Sequence, residues 1–149
     1  MTTTVFNVAN HILKRDEGFD LLQLIKLCYL SYGWYLTYHD DILFREKIEA
    51  WRYGPVIPEL YYALKHRGRS LPSSCLEGLA DDRDPEFSNN MKKLVSAVVD
   101  YYGRYKGVEL SALTHKRGSP WYKTYKGEKY SWAIIPRDVI KAHFDELKV

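Results

Sequence analysis

Apolar residues recur along most of this chain at the 3.6-residue period of an amphipathic helix, and in only one short stretch do they alternate. Val5, Phe6, Val8, Ala9, Ile12 and Leu13 predict a first helix, with the preceding threonines supplying a cap and Gly18 ending it. Asp20 with Gln23 three residues on makes a capping box for a second helix. Its run Leu21, Leu22, Leu24, Ile25, Leu27, Cys28 and Leu30 is apolar on most sides, which places it at the centre of the core, and Asp40-Asp41 stops it near Tyr38. From Ile42 to Tyr53 the helical period is lost, and Ile48, Ala50 and Arg52 alternate with Glu49, Trp51 and Tyr53. Gly54-Pro55 then punctuates the chain. Pro58 sits at the first turn of a helix bearing Leu60, Tyr61 and Leu64, with Gly68 as its natural end.

Residues 69–87 hold Pro72, Ser73, Ser74, Gly78 and the acidic run Asp81, Asp82, Asp84 and Glu86, and read as a long exposed loop. Ser88 caps a helix with Met91, Leu94, Val95, Val98, Val99 and Tyr102 on one face, running to about Lys106. Short helices follow at Glu109 to Thr114 and, after the cap pair Ser119-Pro120, at Trp121 to Tyr125. Pro136 starts the last helix, with Val139, Ile140, His143, Phe144 and Leu147 facing inward. The expectation is one mainly α domain over all 149 residues, with a short two-stranded β element near residues 42–53.

Composition narrows the functions this scaffold can carry. Apolar residues make up 46% of the chain, enough for one core, and no run approaches a membrane span. The N-terminus lacks a basic region followed by an apolar one, so the expected location is the cytoplasm. Cys28 and Cys75 form no CxxC pair and read as free thiols. The net charge of +3 is too small to imply nucleic acid by itself, but residues 1–90 carry 10 Lys+Arg against 13 Asp+Glu while residues 91–149 carry 12 against 6. That split fits either a bipolar binding surface or two solvated faces. The 13 Tyr and 4 Trp suit an interface, and equally a Tyr-rich core.

The chemistry of catalysis finds little support. His11, His39, His66, His115 and His143 include no HxxxH pair, and no cysteine neighbours them. An EF-hand beginning at Asp82 would need Gly and Glu where this chain has Phe87 and Lys93. No phosphate-cradling GxxxxGK and no GxGxxG is present, and no cofactor is expected. Ser111 and His115 share a helix face at the spacing of a nucleophile and its base, but nothing identifies an orienting group or an oxyanion site. A histidine there also suits nearby carbonyls or the helix dipole. Glu49 and Arg52 read as a structural pair. The stretch His115, Lys116, Arg117, Trp121, Tyr122, Lys123, Tyr125, Lys126, Lys129, Tyr130 and Trp132 interleaves aromatics with cations, as a single-strand binder does, and a protein-binding face would look the same.

Two segments are more specific. One is Ile48-Glu49-Ala50-Trp51-Arg52-Tyr53-Gly54-Pro55-Val56-Ile57-Pro58-Glu59-Leu60-Tyr61, after Leu24 to Leu30 and Leu43-Phe44; the other is Leu110-Ser111-Ala112-Leu113-Thr114-His115 with Ser119-Pro120-Trp121 behind it. In this order and spacing the chain resembles the Panacea domain, the SocA-like family that also includes phage-associated GepA proteins. Asp40-Asp41 stands where a glycine is usual in the family. The resemblance implies an antitoxin that neutralises a protein toxin by direct contact, or an adaptor that delivers the toxin to a host protease. A nucleic-acid-binding regulator is the third reading. The resemblance assigns Glu49, Trp51, Arg52, Tyr53, Gly54, Pro55, Pro58, Tyr61, Thr114, His115, Pro120 and Trp121 to partner binding or to a motif scaffold. Treatment with a chelator is expected to leave the melting temperature unchanged; a large drop would reveal a structural metal that the ligand spacings do not announce.

Overall fold

A computed structural model describes residues 2–127, 129 and 132–148. Among them are the helices α1 (Val5–Leu13), α2 (Leu21–His39), α3 (Pro58–Leu64), α4 (Asn89–Tyr102), α5 (Gly107–Thr114), α6 (Pro120–Thr124) and α7 (Arg137–Leu147), with strands β1 (Glu49–Trp51) and β2 (Gly54–Val56). The mainly α expectation and its small β element both hold. Local chemistry sets most helix starts. The Thr4, Ser88 and Ser119 hydroxyls accept from the backbone N–H three residues on, and Asp20 and Gln23 exchange hydrogen bonds of 2.7 and 3.0 Å. α2 stops where Asp40 turns left-handed at φ 51°, a conformation a short Asx side chain tolerates.

α2 is the axis of the molecule, packing against α1, α3, α4, α5 and α7, and thirteen of its residues, Lys26 included, are buried. The buried tyrosines Tyr29, Tyr32 and Tyr35 lie on it, so part of the aromatic content is core. β1 and β2 pair antiparallel, Trp51 opposite Gly54, leaving Arg52-Tyr53 as a two-residue turn. A third segment lies against this hairpin: the Ala50 N–H donates to the Ala133 carbonyl (2.9 Å) and the Ile135 N–H to that of Ile48 (2.8 Å).

Several boundaries differ from the sequence reading. α1 ends at Leu13 and α4 at Tyr102, with Gly18 and Lys106 lying in the connections beyond. α3 ends at Leu64, ahead of Gly68, and α5 begins at Gly107. The larger correction concerns residues 69–87, which do not hang free. Leu71, Cys75, Leu76 and Phe87 are buried, and Ser73–Leu76 forms a 3-10 turn. The acidic run is tied to α1: the Asn7 amide donates to Asp84 (2.9 Å), the Asn10 amide to Asp82 (2.7 Å), and the Asp81 N–H to Asn7 (2.7 Å). His143 and Leu147, read as inward, are half-buried and exposed, while Ile140 and Phe144 carry the contact.

Gly33 makes the crossing of α2 and α7 possible. A Cβ there would fall 2.1 Å from Phe144 Cε2, inside a ring that packs edge-on against Tyr29 and Trp34. Alanine improves helix propensity by about 1 kcal/mol, and overpacking costs about 1–3 kcal/mol. Gly33→Ala is therefore expected to lower the denaturation midpoint, with Phe144→Leu in the same chain restoring part of the loss.

Candidate functional site

The two motif segments meet at the hairpin. Backbone carbonyls at the three alternating positions 51, 53 and 55 point at helices, and each collects a side-chain donor. The Trp121 indole N–H of α6 donates to the Trp51 carbonyl, and the Ser111 hydroxyl of α5 to that of Tyr53. Lys26 Nζ of α2 donates to the carbonyls of Pro55 (2.8 Å) and Tyr53 (3.3 Å). Three helices distant in sequence are thereby fastened to one short hairpin. Gly54 is required twice over, because its φ of +119° excludes ordinary side chains and because a Cβ would stand 2.7 Å from Lys26 Nζ. Pro55 faces Ala50 across the strand pair, and Pro58 at the first turn of α3 fixes the exit.

Lys26 is fully buried, and its ammonium is held by carbonyls. Desolvation pushes its pKa down from 10.5 to about 7. In the sequence Lys26 is one position of an apolar helix, and the signal that singles it out is a lone cation amid Leu24, Ile25, Leu27 and Cys28.

The remaining motif residues sort by burial. Gly54, Pro55, Thr114, Pro120 and Trp121 are buried, Glu49, Trp51, Pro58, Tyr61 and His115 are half-buried, and Arg52 and Tyr53 are exposed at the turn. The Trp51 indole donates to Glu49 (2.9 Å) and packs edge-on against Tyr61 at 5.1 Å. The Arg52 guanidinium lies 5.3 Å from the Tyr53 ring. Thr114 returns its hydroxyl to the Leu110 carbonyl (2.8 Å), and the His115 ring stands edge-on to Trp121, which stacks on Tyr125 at 4.7 Å.

Ser111 and His115 each find a backbone carbonyl. The Ser111 hydroxyl points its proton at the Tyr53 carbonyl. His115 Nδ1 lies against the Ser111 carbonyl, an acceptor only, so this nitrogen carries the proton. Nδ1 is 3.5 Å from the Ser111 oxygen and cannot receive a proton from it while it holds its own. In this arrangement Ser111 fastens α5 to the hairpin and His115 closes onto its own helix. No group of three or more metal-ligating side chains occurs among the described residues. The basic aromatic stretch is divided: Trp121 turns inward and Tyr125 is half-buried, while Lys116, Arg117, Tyr122, Lys123, Lys126, Lys129 and Trp132 are exposed. Tyr130 lies outside the described residues.

The lowered pKa of Lys26 has a consequence for stability. Between about 7 and 10.5 the unfolded chain binds the proton that the folded chain resists, so stability rises with pH in this window and is reduced below it. Burial raises the Cys28 and Tyr29 pKa values, which opposes the trend above their ordinary 9.0 and 10.0. His11 and His143 titrate below their ordinary 6.5. The clean interval is therefore about pH 7–9, where a gain of a few kcal/mol at most is expected in urea midpoints. Lys26→Met should flatten it, and an unchanged slope in that variant would refute the assignment.

The sequence model of the antitoxin SocA-like Panacea domain matches residues 24–122. Antitoxin SocA from Caulobacter vibrioides (strain NA1000 / CB15N) is 29% identical over 124 residues, covering 76% of this chain and 66% of that protein, so about a third of the relative lies outside the match. No solved structure matches the chain significantly. The matched interval takes in Lys26, the whole hairpin, Ser111, Thr114, His115 and Trp121, every contributor to the fastening, and the chain belongs to the SocA-like Panacea domain family of antitoxins.

Proposed function

We propose that this protein neutralises a cognate toxin by stoichiometric protein contact in the cytoplasm, without catalysis. The observation that carries the reading is the family match over residues 24–122. The partners of Ser111 and His115 support it, because the hydroxyl is bonded to the hairpin carbonyl of Tyr53 and the imidazole to the carbonyl of Ser111. No helix among the described residues is long and apolar enough to cross a membrane. Within the motif, Gly54, Pro55, Pro58, Thr114, His115, Pro120 and Trp121 are the scaffold, and Glu49, Trp51 and Tyr61 brace it. Arg52 and Tyr53 lie exposed at the turn.

Sequestration requires a specific interface, on the order of 1,200–2,000 Å² in total, that survives purification. Coexpression with the toxic product of the adjoining reading frame, in protease-positive and protease-deficient cells, tests the reading. Protection in both strains with an equimolar complex is expected. Protection that disappears with the protease identifies an adaptor, and protection far below equimolar amounts identifies catalysis. A tight, salt-sensitive complex of the isolated protein with single-stranded nucleic acid, weakened by Lys123→Ala with Lys126→Ala, would identify a nucleic-acid-binding regulator. Ser111→Ala with His115→Ala is expected to lower stability by about 1 kcal/mol, from a lost hydrogen bond, and to leave neutralisation intact.

A further inference from the structure

A trough flanking α2 takes no part in the Lys26, Ser111 and Trp121 bonds to the hairpin, although Thr114 and Pro120 of the motif segments line one end of it. It consists of two adjoining hollows, of about 450 and 490 Å³, that share Trp34, Tyr101, Tyr102 and Leu147 and run between α2, α4 and α7, with α5 closing one end. The walls are aromatic and fixed: the Trp34 indole donates to the Tyr102 hydroxyl (3.1 Å), and Phe144 packs against both Trp34 and Tyr29. The rim is apolar and open, with Tyr38 58% exposed, Tyr101 59% and Leu147 46%.

One buried polar atom lacks a partner among the described residues, the hydroxyl of Tyr29, and Tyr29 lines the deeper hollow. An unsatisfied buried hydroxyl is destabilising, and an acceptor that reached it through a small shift of the covering side chains would satisfy it. The charges around the trough carry a small positive excess, three cations against two carboxylates. Lys116 lines it, Arg104 lies over Tyr101 and Tyr105 at 5.2 and 5.0 Å, and Lys148 lies over Tyr38 at 5.5 Å. Of the carboxylates nearby, Glu109 accepts the Lys106 N–H (2.8 Å) and Glu146 acts on His143. Either hollow alone has the volume of a small-ligand site. Together they form a long open channel, whose shape fits the apolar face of a helix laid into a groove.

We propose that the trough is the toxin-docking surface and receives an acidic amphipathic segment of the toxin: bulky apolar side chains fill the two hollows, an acceptor meets the Tyr29 hydroxyl, and carboxylates face Arg104, Lys116 and Lys148. The inference rests on the sequestration reading. Its test measures the dissociation constant of the adjoining toxin, purified in an inactivated form, for the full chain and for three variants. Tyr101→Glu with Leu147→Glu changes exposed positions only and is expected to weaken binding about tenfold or more. Tyr29→Phe is expected to weaken binding by a similar factor while the melting temperature holds or rises, a combination that a purely structural hydroxyl would not give. Tyr62→Glu, exposed beside Trp51 on the hairpin side, is expected to bind as the unaltered protein does. Unchanged affinity in either trough variant, or loss confined to Tyr62→Glu, overturns the docking assignment and leaves sequestration standing. If the unaltered protein does not bind the toxin, sequestration fails and the docking assignment fails with it. Binding of a single-stranded oligonucleotide in the trough, abolished by the same Tyr101 and Leu147 changes, overturns it as well.

Discussion

A buried ammonium needs acceptors, and in this protein the need is met by backbone. Lys26 has no exposed surface and reaches the carbonyls of Tyr53 and Pro55. Leaving such a cation uncompensated would cost several kcal/mol. The hairpin must therefore present those carbonyls at one place, which demands a tight turn and a residue without a side chain at position 54. Once the turn is set, the Trp51 and Tyr53 carbonyls become the docking points for Trp121 and Ser111, and α5 and α6 inherit their positions from it. The dependence is mutual, since a hairpin with three-residue strands is marginal alone.

The elements legible in the sequence are those whose determinants are local. The Asp20-Gln23 box, the Ser88 and Ser119 caps and the apolar periods of α1, α2 and α4 all lie within a few residues of what they specify. Glycines misled at helix ends because their permissiveness suits many turns: Gly18 and Gly68 adopt positive φ in connections, not at C-caps. The segment 69–87 has a loop's composition, and its burial depends on a few apolar residues and on Asn7 and Asn10, dozens of residues earlier. Likewise the positions of the motifs could be read from the chain, whereas the role of Lys26 arises only when helix and hairpin are in contact.

Ser111 and His115 illustrate how a suggestive spacing loses its meaning in three dimensions. Four residues on a helix bring the side chains together, and the same geometry offers each a backbone carbonyl. A carbonyl accepts and never donates, so it fixes where the protons reside. In this arrangement the serine hydroxyl turns to Tyr53 and the nearer histidine nitrogen to the Ser111 carbonyl, so a spacing that suggests a catalytic pair serves two backbone contacts.

The fastening and the trough are built on the same helices. Lys26 and Tyr29 are three residues apart on α2, one donating to the hairpin and the other lining the trough. On α5, Ser111 donates to the hairpin while Leu113 and Thr114 line the trough. α5 is short, eight residues, and too brief to hold its place by helix propensity alone. Its position as a trough wall is thus set from the other side, through Ser111 and the hairpin. Substitutions at exposed trough positions such as Tyr101, Leu113 and Leu147 leave those bonds untouched, so this face can vary without disturbing the fold that shapes it.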